Sequence, residues 1–477
     1  MNIIHITAEC YPAAKAGGLG DVAGALPKYL NQLGHNASVV LPFYQTDWLK
    51  KTQTETVFEG QAPFAGGFFP YSVHKVIKPY LGFDFYLVNI PGRFDRPGIY
   101  IDPWSGHPYW DEKERFFSFQ IAALEWLAQR NEMPDVIHCH DHHTALVPFM
   151  MSHCFRFDIF KETPSILTIH NGEYQGRYDM GSYAILPAFN FEMLGLLDWD
   201  GALNSLASGI KCAWKVTTVS QGYMQELLDY CHGIEHLLRS EEQKTAGILN
   251  GIDSEVWDPG TDNYLEKNYT VRNYKKGKAA NKSYLCEHFD LDQDKPLFSF
   301  IGRLVREKGA DLIPPLIEKC RTDGIDANFF VLGTGEPALH EIFSTLQSSY
   351  VGYFDTRLEY NEQLAHRLYA GSDFLLMPSR VEPCGLNQLY SMRYGTIPLV
   401  RKTGGLADTV IDISEDDGYG LVFEDFDLDQ AAEAVRRGVE LFHEKQFFNK
   451  IRRSIMGLDN SWQSAAKNYV DLYQSLK

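Results

Sequence analysis

Five short stretches gather residues that can bind anions, move protons or hold sugars. The first, Lys15-Ala16-Gly17-Gly18-Leu19-Gly20-Asp21, sets a lysine and glycines at the start of a helix-like run. Glycine lets the main chain approach a ligand closely, and a helix N-terminus presents unpaired N–H groups to an anion. It matches neither the dinucleotide fingerprint nor a Walker loop, and a tight turn carrying a surface lysine is the alternative. The second is His138-Cys139-His140-Asp141-His142-His143. On a strand His138 and His140 share one face, and Asp141 falls where open parallel sheets bind ligands. Metal binding, a ligand-site role for Asp141 and simple packing all stay open here. In the third, Leu167-Thr168-Ile169-His170-Asn171-Gly172, His170 closes an apolar run and Asn171-Gly172 turns the chain, so His170 is either a site residue or a buried packing histidine. The fourth, Gly302-Arg303-Leu304-Val305-Arg306-Glu307-Lys308-Gly309, follows a strand-like run directly. Arg303 and Lys308 there suit a diphosphate that gains charge as a bond breaks, unless the loop is merely a solvated basic one. The fifth, Pro378 through Tyr390, places Glu382 in a turn and Gly385 at a helix start. A carboxylate for sugar hydroxyls beside N–H groups for phosphate suits a sugar nucleotide.

The elements that must position these groups alternate in type. Strands are expected at Ile3–Thr7, Ala37–Leu41, Phe85–Ile90, Val136–His140, Ile166–His170 and Lys215–Val219. A second set is expected at Leu297–Ile301, Asn328–Leu332, Phe374–Met377, Ile397–Val400 and Gly420–Phe423. Helix-like segments such as Asp21–Leu33, Glu114–Gln129 and Asn361–Ala370 lie between them, a pattern of βαβ units and parallel sheets. That many strands predict two sheets rather than one. The seam is expected near Asn250–Gly260, giving domains 1–255 and 256–460 and an amphipathic segment, 461–477, that packs back toward the first. Lys15–Asp21 is nearly repeated at Lys402–Asp408, as two Rossmann-like halves would produce.

The net charge is 44 − 62 = −18 over 477 residues. So acidic a chain argues against nucleic acid or an anionic membrane as the main partner. Aromatic residues reach 13%, through core packing or through stacking on sugars. The eight cysteines stand singly without a CxxC pair, and no apolar run approaches the ~18 residues that span a bilayer. No leader pattern opens the chain, so a soluble, cytoplasmic protein is expected.

These motifs together resemble the bacterial glycogen synthases and plant starch synthases. The resemblance rests on KAGGLGDVAGALP at 15–27, DRPGIY at 95–100, TIHN at 168–171, TTVSQGY at 217–223, ILNGIDSEVWDP at 248–259, GRLVREKG at 302–309, GTGEP at 333–337, PSRVEPCGLNQLY at 378–390 and TGGLADTV at 403–410. It implies an α/β GT-B enzyme, with two Rossmann-like parallel-sheet domains facing across a deep cleft. The first domain would hold the glucan acceptor and the second the sugar nucleotide. The implied reaction carries glucose from ADP-glucose to the non-reducing end of an α-1,4-glucan with retention, without metal or other cofactor.

Carried over by position, the resemblance makes Arg303, Lys308, Glu382, His170 and Asp141 the catalytic set. Lys15, Gly17, Gly18, Asp21, Asn250, Tyr360, Gly385, Leu386 and Asn387 would bind the donor, Tyr360 by stacking on the base. Tyr100, Asp141 and Asn171 would meet the acceptor. Several positions depart from the family pattern: Ala16 for threonine, His142 for tryptophan, Gly172-Glu173 for an apolar-alanine pair, and Asn387 for a small hydroxyl residue or isoleucine. These put acceptor preference in doubt more than the chemistry. A transferase using UDP-glucose or another acceptor, a silent glucan binder, and a metal-dependent hydrolase built on His138–His143 are the competing readings.

Overall fold

A computed structural model describes residues 1–77 and 81–476. The chain divides into two compact units, the first built on a mainly parallel sheet with an antiparallel edge and the second on a wholly parallel sheet. The first comprises Met1–Val219, Met224–Ile248 and the chain from Ala465 on, and the second Ser220–Tyr223 and Leu249–Ser464.

The first unit carries β1 (Asn2–Ile6), β2 (Asn36–Pro42), β3 (Thr54–Phe64), β4 (Gly67–Val76), β5 (Asp84–Asn89), β6 (Val136–His140), β7 (Ser165–Ile169), β11 (Lys215–Thr218) and β12 (Thr245–Gly247) in one sheet. Its order is β12-β11-β7-β6-β1-β2-β5-β4-β3, with the antiparallel edge at β3–β4–β5. A small antiparallel sheet joins β8 (Arg177–Tyr178), β9 (Asp198–Trp199) and β10 (Ala202–Asn204). Central strands such as β6 and β7 are buried at every residue, as expected where helices cover both faces.

The second unit holds β13 (Leu297–Ile301), β14 (Asn328–Leu332), β15 (Phe354–Arg357), β16 (Phe374–Met377), β17 (Ile397–Arg401) and β18 (Leu421–Phe423). All pair in parallel, in the order β15-β14-β13-β16-β17-β18. Side-chain alternation divides the core between the two faces of this sheet. Phe298, Phe329, Val331 and Phe374 enter the cluster on one face, packed with residues of the helices Ile313–Thr322 and Leu428–His443. Leu297, Phe330 and Leu332 pack with Leu285 and Leu368 on the other.

Every strand expected from the sequence is present to within a residue at either end. The reading missed the β3–β4 hairpin, whose two-residue turn is Ala65-Gly66, both at positive φ. That geometry is the usual hairpin turn, but Ala-Gly lacks the Asn-Gly or Asp-Gly signal that announces it. The near-repeat is structural: Gly17 caps the helix Gly18–Gln32 and Thr403 caps the helix Gly404–Thr409. From Ala465 on, the last helix belongs to the first unit, where Tyr469 and Tyr473 are fully buried.

Candidate functional site

Among the parallel strands of each sheet the order changes direction at one point, between β1 and β6 in the first unit and between β13 and β16 in the second. Connections on the two sides of such a point leave in opposite directions, so the carboxyl ends of those strands border a crevice where ligands bind. The chemistry-bearing stretches of the sequence follow these strands.

In the first unit, the loop after β1 carries Glu9 and Lys15–Gly17. Glu9 is buried, and its Oε2 accepts from the N–H groups of Ala16 at 2.6 Å and Gly17 at 2.8 Å. Two N–H groups expected to face an external anion are therefore spent on an internal carboxylate. The other oxygen of Glu9 accepts from the Tyr100 hydroxyl at 2.8 Å, and the Tyr100 ring stacks on His143 with centroids 4.6 Å apart. Lys15 and Asp21 pair with each other at 2.7 Å, while burial raises the Asp21 carboxyl against the pull of that lysine.

Asp141 ends β6 with φ 56° and ψ −179°, a conformation that side chains other than glycine's rarely tolerate. Its Oδ1 accepts from the main-chain N–H of His170 at 2.7 Å and of Asn171 at 3.4 Å, which tie the turn after β7 to the end of β6. Burial pushes its carboxyl up to about 7, partly opposed by those two donors and reinforced by the charge of Glu9. The Asn171 side chain is engaged in its own turn, accepting from the Glu173 N–H at 2.9 Å. His170 is nine-tenths buried, which brings its imidazole down to about 3.

Two histidine clusters have ligand atoms close enough together for a cation: His5 with His138 and His140, and Glu112 with His142 and His143. In the first, protein groups already engage every ring nitrogen except Nε2 of His5. His138 contacts the Tyr473 hydroxyl at 2.8 Å and Thr168 at 2.6 Å, and His140 contacts His5 and His170, each at 3.1 Å. In the second, a Glu112 oxygen lies 4.0 Å from a ring nitrogen of each histidine.

In the second unit, the loop after β13 and the turn after β16 meet. Lys308 Nζ lies 2.7 Å from Glu382 Oε1, and the Ser379 hydroxyl donates to the other oxygen of Glu382 at 2.9 Å. Arg303 is largely exposed and loosely paired with Glu307 at 3.4 Å. Gly309 closes the loop at φ 68°, where a Cβ would fall on the carbonyl oxygen of Pro378. Gly404 and Gly405 let the following turn lie directly on Glu382 and Cys384, and the Gly405 N–H donates to the Glu382 carbonyl at 2.9 Å. Gly385 has φ 72°, Leu386 caps the short helix Asn387–Arg393, and Asn387 donates to the Ile301 carbonyl at 2.6 Å. Asn387 thereby fixes the end of β13 beside that helix. Asn250 interacts with the Cys384 thiol, while its Oδ1 is buried without a partner among the described residues. Tyr360 lies on the loop after β15, with 83% of its surface exposed.

Within each unit, then, most of the predicted residues gather at the switch point. Lys15, Gly17, Gly18, Asp21, Tyr100, Asp141, His170 and Asn171 belong to the first, and Arg303, Lys308, Glu382, Gly385, Leu386 and Asn387 to the second. Sequence reading passed over Glu9, which ties the glycine loop to Tyr100, and His5, which joins the histidine cluster from β1. The signal for Glu9 was available as a carboxylate just past a strand's carboxyl end.

A family model described as the starch synthase catalytic domain matches residues 2–240, and one described as glycosyl transferases group 1 matches residues 287–446. The chain is 45% identical over 474 residues to the glycogen synthase of Flavobacterium johnsoniae, covering 99% of this chain and 98% of that one. It is 35% identical over 487 residues to the glycogen synthase of Streptococcus pneumoniae, covering 100% of both. Among solved structures, the catalytic domain of starch synthase IV from Arabidopsis thaliana, bound to ADP and acarbose, superposes with a TM-score of 0.86 at 30% identity, covering 100% of this chain and 99% of that one. The sucrose-phosphate synthase of Thermosynechococcus elongatus shares the fold alone, with a TM-score of 0.61 at 16% identity, covering 100% of this chain and 99% of that one. No helix among the described residues is long and apolar enough to cross a membrane. Two parallel-sheet units with their chemistry at the switch points, matched by these relatives along the whole chain, lead to one conclusion: the chain belongs to the glycogen synthase and starch synthase family of GT-B glycosyltransferases.

Proposed function

We propose that the chain transfers glucose from ADP-glucose to the non-reducing end of an α-1,4-glucan, with retention of configuration and release of ADP. The observation that carries this is the Lys308–Glu382 pair, with Arg303 on the same loop as Lys308, at the switch point of the second unit. A cation beside a carboxylate fits a donor that is a diphosphate at one end and a polyol at the other. In this scheme Arg303 and Lys308 hold the diphosphate and Glu382 accepts from sugar hydroxyls. Main-chain groups at Gly385, Leu386 and Asn387 and the unpartnered oxygen of Asn250 complete the donor contacts, and Tyr360 stacks on the base. Lys15, Gly17, Gly18 and Asp21 also serve the donor, Lys15 through its charge. Asp141 and His170 face the transferred glucose, and Tyr100, Asp141 and Asn171 meet the acceptor.

Retention follows from a front-face exchange. The bond from the glucose anomeric carbon to the phosphate oxygen breaks, and a bond to the acceptor 4-hydroxyl oxygen forms on the same side. The departing phosphate takes the acceptor's proton. The positive charge that stabilises the leaving group comes from Arg303 and Lys308, so catalysis is mainly positional and electrostatic and calls for no metal. All eight cysteines are thiols rather than disulfides, which suits a reducing, cytoplasmic setting.

The test is nucleotide release by purified protein offered ADP-glucose or UDP-glucose, with and without glycogen, in the presence of EDTA. ADP release that requires glycogen and ignores EDTA is expected. Release from UDP-glucose alone would overturn the donor assignment, and inhibition by EDTA would overturn the metal-free scheme.

A further inference from the structure

The first unit contains a file of three imidazoles, of which the scheme above uses only His170 and leaves His5 and His140 without a role. Nδ1 of His5 lies 3.1 Å from Nε2 of His140, and Nδ1 of His140 lies 3.1 Å from Nε2 of His170. His5 and His140 are fully buried, and His170 closes the file at the carboxyl end of β7. His138 stacks on His140 with centroids 4.4 Å apart and rings 20° from parallel. His138 is itself fixed at both nitrogens by Tyr473 and Thr168, so the plane of His140 is set from the side.

Each of the two ring-to-ring contacts needs one proton and only one. Burial holds all three rings neutral at ordinary pH, so each ring carries a single N–H. Only two arrangements then satisfy both contacts. In one, His5 donates from Nδ1 to His140, His140 donates from Nδ1 to His170, and His170 keeps its proton on Nδ1. In the other every donor is reversed, and His5 must carry its proton on Nε2. That atom is buried and has no partner among the described residues. A buried N–H without an acceptor is rarer and costlier than an unmatched lone pair, so the first arrangement prevails.

We infer that His5 and His140 are positioning residues that lock the tautomer of His170, leaving its Nε2 bare and its Nδ1–H as a fixed donor to a hydroxyl oxygen of the bound sugar. Use of the proton on sugar rests on the placement of His170 beside the transferred glucose. The tautomer itself rests only on the contacts within the first unit. A ring locked in one tautomer cannot turn acceptor, so the site favours a sugar that offers an oxygen lone pair there. The lock needs no proton to move during turnover.

Nitrogen-15 spectra of the full-length protein labelled in histidine test the lock directly. The His170 resonances, assigned by loss in His170→Gln, should show a protonated Nδ1 and an unprotonated Nε2. The reverse pattern would overturn the inference. A second test uses turnover. His140→Asn keeps an amide N–H where Nδ1 stood and is expected within about threefold of the wild-type kcat, whereas His140→Leu should lose about tenfold or more, the scale of one hydrogen bond to substrate. Equal losses in both would count against the relay. Full activity in His170→Ala would remove the sugar contact assigned to His170, an outcome separate from the tautomer that the spectrum reports.

Discussion

Glu9 accepts a 2.8 Å hydrogen bond from the hydroxyl of Tyr100, a residue far along the chain, while its second oxygen holds two N–H groups of the glycine loop. One buried carboxylate thus joins a residue assigned to the acceptor with a loop assigned to the donor, both within the first unit. Glu9→Ala should leave the Ala16 and Gly17 N–H groups and the Tyr100 hydroxyl without their acceptor. Hydrogen bonds to a charged group contribute about 1.5–3 kcal/mol each, so a fall of about 5 °C or more in the melting temperature of the first unit is expected, with turnover at least tenfold lower. Glu9→Gln retains an acceptor oxygen and should be milder in both. Differential scanning calorimetry and a glucan-dependent ADP assay read the two effects, and an unchanged Glu9→Ala would show that the loop orders itself.

Arg303→Ala and Lys308→Ala should each lower kcat by ~10²-fold or more, the size of losing one donor to a developing charge. Lys308→Ala also leaves Glu382 with Ser379 as its remaining side-chain donor, so its KM for donor should change as well. Arg303 has only a loose pairing to lose, so its substitution should leave the melting temperature unmoved. Steady-state kinetics beside thermal melts separate these cases, and near-normal turnover in both variants would remove the diphosphate assignment.

Gly309→Ala is expected to damage activity without touching a substrate contact. The residue sits at φ 68°, and a Cβ there meets the Pro378 carbonyl oxygen. The loop must move away, carrying Lys308 from Glu382. A loss of tenfold or more in kcat/KM for ADP-glucose, with the chain still folded by circular dichroism, is the expected result. Wild-type kinetics would show that the Lys308–Glu382 contact is not needed.

Acid should unfold the first unit from an unusually high pH. Burial brings His5 and His170 down to about 3 and His142 to about 4, and lowers His138, His140 and His143 well below 6.5. A histidine whose folded pKa is depressed stays neutral in the native state while the unfolded chain binds protons. Its contribution is therefore present above about 6.5 and is lost as pH falls below that value. Asp141 acts in the opposite sense. Its carboxyl is raised to about 7 from 3.8, so its contribution is full below 3.8 and lost as pH rises through 7. Asp21 and Glu112, whose carboxyls burial also raises, act in the same sense as Asp141, and three such groups against six histidines still leave a net loss on acidification, each histidine contributing up to about 1.4 kcal/mol per pH unit. Melting temperatures measured between pH 7.5 and 5 should fall steadily, and a flat profile would contradict the burial of these rings as neutral groups.

The strands, the parallel sheets and the stretches that carry the chemistry were legible in the sequence because each is a local pattern. Apolar runs such as Leu297–Ile301 alternate with amphipathic segments, and polar groups such as Arg303, Glu382 and His170 stand just beyond them. A parallel sheet buried on both faces forces that arrangement, since polar groups are tolerated only past the strand ends. The order of strands in each sheet, and hence which loops share a switch point, was settled by pairing across long stretches of chain. Glu9 meets Tyr100, Lys308 meets Glu382 and His5 meets His140 only because separate strands are brought side by side. The state of the histidine cluster was likewise decided by packing: His138-Cys139-His140 has the spacing of metal ligands, but Tyr473, Thr168, His5 and His170 engage its ring nitrogens. A residue's type limits what it can do, and the neighbours that desolvate and pair it select among those possibilities.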